Sequence, residues 1–178
     1  AAGVARLNEM LQDALNPADP TGRKPEFVRG SRRFRPADRV IQLKNNYDKN
    51  VYNGDIGSIE QILPIDQQIV VRFPDAVVRY DYSEYDELQL AYALSIHKSQ
   101  GSEYPAVVLV IHSSQYMMLQ RNLLYTGFTR AKKLCIVVGN KKAIGRAVHN
   151  DRASKRYTRL ADRLREKEEY GFQLTPRR

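Results

Sequence analysis

Tryptophan is absent from this chain of 178 residues, and cysteine occurs once, at Cys135. A lone thiol excludes an internal disulfide framework, and its apolar neighbours point to a reducing compartment, with the cytoplasm the expected location. No apolar run approaches the roughly 18 residues that a membrane span needs, so no transmembrane role is expected. His97, His112 and His149 share no close spacing with cysteine or acidic residues, and no metal site is expected. Also missing are a G-x-x-x-x-G-K-[ST] phosphate loop, a G-x-S-x-G elbow and a zinc-binding helix; the nearest strings, TGRKP and GNKKA, lack the spacing. Without a nest of backbone N–H groups to cradle phosphates, the chain is not expected to bind and hydrolyse a nucleotide alone. Any catalysis would be half of a shared site. The opening AAGVARLNEM has neither an initiator Met nor a signal-peptide pattern, and is read as a piece of something longer.

What is present is a core-forming, basic composition. Hydrophobic residues make up 42%, enough for a core, and 29 Lys and Arg against 20 Asp and Glu give a net charge of +9, a generic pointer to nucleic acid. Val4, Leu7, Leu11 and Leu15 recur at helical intervals and Asn16-Pro17 stops the pattern, which predicts an amphipathic helix over 4–15. Residues 17–36, rich in Pro, Gly and Arg, read as a loop or linker; its Arg cluster at 29–35 is solvated by default, with contact to phosphates the alternative.

The character then changes twice. Segments 39–44, 57–63, 68–73 and 77–82 are short and rich in Val, Ile, Phe and Tyr, with turn signals at Asn53-Gly54, Leu63-Pro64-Ile65-Asp66 and Phe73-Pro74-Asp75. They predict a small antiparallel, SH3-like barrel, with Asn53-Gly54 an ordinary tight hairpin. From residue 88 the pattern predicts strand (91–96), a turn or one helical turn (97–101), a strand buried on both faces (106–111), helix (117–130), strand (134–138) and helix (141–148). That is α/β architecture. Tyr157, Leu160, Ala161 and Leu164 form an apolar stripe on a charged helix that also carries Arg152, Lys155, Arg156 and Arg159. Because α-type elements flank an all-β block, the economical organisation is an insertion: 1–35 opens an α/β lobe and ends in the basic linker, 36–88 is the inserted barrel, 89–150 completes the lobe, and 151–178 is a C-terminal helix and tail.

LAYALSIHKSQGSEYPAVVLVI at 90–111 and LLYTGFTRAKKLCIVVG at 123–139 resemble motifs V and VI of superfamily 1 helicases, closest to the RecD/TraA group. NVYNGDIGSIEQI at 50–62 resembles the signature of that group's SH3-like insert, and LNEMLQDALNP at 7–17 the helix after motif IV. The resemblance implies a partial RecA-like parallel-sheet lobe with an inserted SH3-like barrel. It further implies the C-terminal part of an ATP-dependent, 5′-to-3′ DNA helicase using ATP and Mg²⁺, in repair, recombination or plasmid transfer.

The resemblance also implies site residues. Arg130 would be the cation that reaches the γ-phosphate from the second lobe, although an arbitrary Arg at a helix end is more often solvated or set against the helix dipole. Gln100, Gly101 and Glu103 would face nucleotide; the alternative for Glu103 is an exposed acid near a turn. Ser95, His97, Lys98 and Ser99 would face single-stranded DNA, with His97 equally readable as a residue that orders the turn. Lys49, Tyr52 and Asn53 could border a nucleic-acid groove on the barrel. Ser95 and Tyr104 stand where the group usually has Thr and Phe, and Gly127-Phe128 where small aliphatics are commoner. Expected partners are single-stranded DNA, the N-terminal RecA-like lobe of the same protein and nuclease-complex subunits, but no membrane. Two other readings stay open: a non-catalytic single-stranded nucleic-acid clamp, and an RNA helicase of the same superfamily.

Overall fold

The computed structural model describes residues 3–151. The chain opens with α1 (Val4–Leu15), which ends where Asn16 leaves helical geometry ahead of Pro17. The expected apolar stripe is not the face that docks. Asn8 and Gln12 are buried whereas Leu15 is 68% exposed, because Asn8, Gln12 and Asn16 lie one turn apart and find polar partners on other segments.

The segment read as a linker contains a hairpin, β1 (Phe27–Arg29) paired antiparallel with β2 (Arg32–Phe34) through Gly30, whose φ of 60° suits glycine. Its Phe27 and Phe34 belong to the core of the following barrel. The barrel is a five-stranded antiparallel sheet in the order β6-β5-β4-β3-β7, built from β3 (Arg39–Gln42), β4 (Ile56–Leu63), β5 (Gln68–Arg72), β6 (Val77–Asp81) and β7 (Leu88–Leu90). Ile59, Ile69, Val71 and Tyr80 fill it, and Tyr80 donates its hydroxyl to Gln42 Oε1 at 2.9 Å. Asn53-Gly54 does not join two strands as a tight hairpin. It closes a long β3–β4 loop, which is pinched by an Asn46–Val51 bridge and returned to the sheet by Gly54 N–H on Gln42 O.

Residues 91–96, read as a strand, are bends and turns; the strand is β7, three residues earlier. The following α/β part places β8 (Tyr104–Ile111) parallel to β9 (Ala131–Gly139), with Val107 opposite Cys135. Between them a 3₁₀ segment (Ser113–Met118) precedes α2 (Arg121–Phe128), so the helix is shorter than the pattern implied. Gly127 explains its own place in α2: a Cβ there would lie 3.0 Å from Leu109, so glycine lets the helix sit directly on β8. After β9, α3 (Lys141–His149) is capped by Asn140, whose side chain accepts from Ala143 N–H at 2.7 Å, and it buries Ala143 and Ala147 against Leu109 and Ile111.

The strand β8 is not covered on both faces as expected. Leu109 and Ile111 are buried while Val108 is 61% exposed, because among the described residues the covering helices pack on one side only. The predicted helix with Tyr157, Leu160, Ala161 and Leu164, and its Arg152, Lys155, Arg156 and Arg159, lies outside the described residues. No helix among the described residues is long and apolar enough to cross a membrane.

Candidate nucleotide and nucleic-acid interface

Parallel pairing of β8 with β9 brings together the turns that precede the two strands. The turn before β8 carries Gln100, Gly101, Ser102 and Glu103, and the end of α2 leads through Thr129 and Arg130 into β9. The backbones lock first: Tyr104 N–H donates to Arg130 O at 2.8 Å. The Arg130 guanidinium then spans the gap, donating from Nη1 to Ser102 O at 2.9 Å, from Nε to Thr126 O at 3.2 Å and from Nη2 to Thr129 Oγ1 at 3.2 Å. Its partners are neutral oxygens, so the positive charge is oriented without being neutralised.

Beside it Glu103 pairs with Lys132 at 3.0 Å. The hydrogen bond from Lys132, followed by its charge, holds the Glu103 carboxyl below the ordinary value, and Arg130 adds a smaller contribution in the same direction. Gly101 has a φ of 83°, which strains any residue with a side chain, and nothing lies within 4 Å of the position a Cβ would take. The backbone is therefore open to close approach from outside. A cation, an ionised acid and an accessible glycine backbone fit one wall of a nucleotide site.

Next to this wall, residues 97–99 form one 3₁₀ turn. His97 and Lys98 are exposed, and Lys98 Nζ donates to Gln89 Oε1 at 2.8 Å. Ser95 is half-buried and its Oγ accepts weakly from Lys98 N–H at 3.4 Å. Ser99 is buried and its hydroxyl donates to Ile96 O at 2.8 Å, which commits that proton to the turn. On the barrel, Tyr52 is exposed and meets Tyr47 edge-on with ring centroids 5.9 Å apart, while Asn53 N–H donates to Asn45 Oδ1. Lys49 faces inward over the Tyr80 ring and pairs with Glu84 at 2.6 Å, so its charge is already matched. Among the described residues no group of His, Cys, Asp or Glu could hold a metal ion.

One structural feature behind the site escaped the sequence reading. Asp38, fully buried, accepts four hydrogen bonds: from Gln12 at 2.5 Å, Asn16 at 2.7 Å, Arg35 N–H at 2.7 Å and the Tyr92 hydroxyl at 2.8 Å. These donors come from α1, the exit of the hairpin and the segment that leads into motif V. Asn8 adds a second tie, exchanging hydrogen bonds with the backbone of Ala93. The helix, the barrel and motif V are thereby held as one unit. Nothing in the local sequence around Asp38 signals it, because all but one of its partners are distant in the chain.

The architecture is that of solved helicases. It is similar to the Pif1 helicase from Bacteroides in a complex with ADP-AlF3 and ssDNA, with a TM-score of 0.59 and 19% identity over 94% of this chain and 44% of that one. A structure described as two coordinating Pif1 helicases at forked dsDNA gives a TM-score of 0.51 and 24% identity over 83% of this chain and 37% of that one. These likenesses establish the fold, a small antiparallel barrel joined to a parallel strand pair with helices packed on it.

Two family models then match in order. Residues 7–73 match the ATP-dependent RecD-like DNA helicase SH3 domain and residues 90–138 the UvrD-like helicase C-terminal domain. The chain is 36% identical over 163 residues to the ATP-dependent RecD2 DNA helicase of Deinococcus radiodurans, a match over 92% of this chain and 22% of that protein. It is 32% identical over 148 residues to the RecBCD enzyme subunit RecD of Mycobacterium tuberculosis, over 82% of this chain and 24% of that subunit. This chain carries the RecD-like SH3 domain and the UvrD-like helicase C-terminal domain, and it spans about a quarter of the length of these relatives.

Proposed function

We propose that this chain serves an ATP-dependent, 5′-to-3′ DNA helicase as one wall of its nucleotide site and part of its strand grip. The observation that carries the reading is the clasp between Arg130 and Ser102, which joins the motif V turn to the end of the motif VI helix beside an open glycine backbone. When a second lobe with a phosphate loop closes on this wall, Arg130 exchanges carbonyl oxygens for phosphate oxygens. Gln100, Gly101 and Glu103 line the same edge, and Glu103 is ionised and able to accept a hydrogen bond from a ribose hydroxyl. ATP with magnesium supplies the phosphoryl group, and a guanidinium that offsets charge on it contributes roughly 10³ to 10⁵ in rate in comparable NTPases.

Because Arg130 gives up Ser102 O when it takes phosphate, the motif V turn is freed to shift, and residues 95–99 carry that shift to the strand. His97, Lys98 and Ser95 offer donors to phosphate oxygens, and Tyr52 with Asn53 extends the grip along the barrel. Acting alone, the 178 residues should bind single-stranded DNA without turning over ATP. Steady-state hydrolysis with and without an oligonucleotide tests this: the expected result is no DNA-stimulated turnover. Turnover abolished by Arg130→Ala would show instead that the chain holds a complete site.

A further inference from the structure

Arg32 on β2 and Lys98 in motif V are far apart in sequence, yet they bond to consecutive residues of β7. Arg32 Nη1 donates to Leu88 O at 3.1 Å and to Tyr85 O at 3.2 Å, while Lys98 Nζ donates to Gln89 Oε1 at 2.8 Å. Every one of these acceptors is neutral. The nearby acids are engaged elsewhere: Asp86 with Lys44 at 2.7 Å, and Glu87 with Gln42 and Asn46. Among the described residues neither Arg32 nor Lys98 forms an ion pair. Two like charges brought to one strand repel, and with the neighbouring Asp86 carboxylate, whose pKa Arg32 helps to lower, already paired to Lys44, an anion would relieve that repulsion.

We infer that Arg32 and Lys98 together hold one phosphate of a single-stranded nucleic acid, carrying the strand from the motif V turn onto the β1–β2 hairpin. The inference rests on the reading of the motif V turn as strand-facing and adds the hairpin to it. Although Lys98 is largely exposed, partial desolvation first, and after it the charge of Arg32, lowers the pKa of its ammonium. The Arg32 guanidinium is also pre-positioned. It lies 5.4 Å from the centroid of the Tyr85 ring, over which Arg29 sits at 5.0 Å, so little side-chain freedom remains to be lost on binding. Arg29 donates to Tyr82 O and leaves a third cation at the same edge.

The test is binding of a fluorescent oligothymidylate to the full chain across a salt series, with thermal melts of each variant. Arg32→Gln is expected to weaken binding about tenfold at low salt, and to reduce the slope of log K against log salt by about 0.7, the share of one phosphate on a single strand. Arg32→Lys, which keeps the charge but not the fork, should retain the slope. Lys98→Gln should behave as Arg32→Gln does, and the double variant should lose less than the product of the two if one phosphate is shared. Wild-type affinity and slope for Arg32→Gln, with a loss for Lys98→Gln, would overturn the inference and leave the motif V reading intact. Equal losses for Arg32→Gln and Arg32→Lys would also overturn it, since Arg32 would then act by holding the fold. Binding that neither variant alters, or no binding at all, would overturn both readings.

Discussion

The Arg130 guanidinium donates to the carbonyl oxygen of Ser102 across 28 residues of sequence, at 2.9 Å. This bond and the Tyr104 N–H on Arg130 O tie motif V to motif VI at the edge where the β8–β9 pairing brings them together. A charge held by carbonyl oxygens is poised to change partners, whereas a charge already paired with a carboxylate, as Lys49 is, has less to gain.

Asp38 should dominate the stability of the first half of the chain. Asp38→Ala removes the acceptor of four hydrogen bonds and leaves buried donors without partners, at a cost of about 3 kcal/mol or more. Urea denaturation should show the loss. Hydrogen exchange should show α1 and the segment around Tyr92 losing protection together, since both are tied to the same carboxylate.

Tyr104 should tolerate, and even welcome, loss of its hydroxyl. That oxygen is buried and finds no hydrogen-bond partner among the described residues, so Tyr104→Phe sheds an unmet polar group at nearly constant shape. The expected change is a gain of about 1 kcal/mol in a chemical-denaturation experiment, with strand binding unaltered.

Tyr92 should make the fold sensitive to alkali. Burial first, and then its hydrogen bond to Asp38, push its pKa up to about 12 from an ordinary value of 10. A group that holds its proton more tightly when folded contributes stability that is complete below the unfolded pKa and lost as pH rises through the folded one. Stability should therefore decline between about pH 10 and pH 12. In Tyr92→Phe the decline should be shallower, as read from denaturation midpoints across that range.

Much of this was legible in the sequence, and the misses share a cause. Residues 57–63, 68–73 and 77–82 announce their strands because β-branched and aromatic residues alternate between turn signals, and motifs V and VI carried their own position. The hairpin was hidden because Arg32-Arg33-Phe34 reads as charge, and its two phenylalanines are core residues only once the barrel stands beside them. The docking face of α1 was misjudged for a similar reason: burying Gln12 is favourable only with Asp38 opposite, and no local pattern contains that pairing. Residues 91–96 look like a strand by composition, but Ala93 bonds to Asn8 of α1, not to a neighbouring strand.

The central claim is that Arg130 is the cation this chain brings to a shared ATP site, and the direct measurement is DNA-stimulated ATP hydrolysis by a RecD-like protein carrying this sequence together with a phosphate-loop lobe. Arg130→Ala should lower kcat by roughly 10³-fold or more while oligonucleotide affinity without nucleotide changes little, and Arg130→Lys should recover only part of the loss. A kcat for Arg130→Ala within a few-fold of the unaltered protein would contradict the account and leave Arg130 as no more than a clasp between two turns.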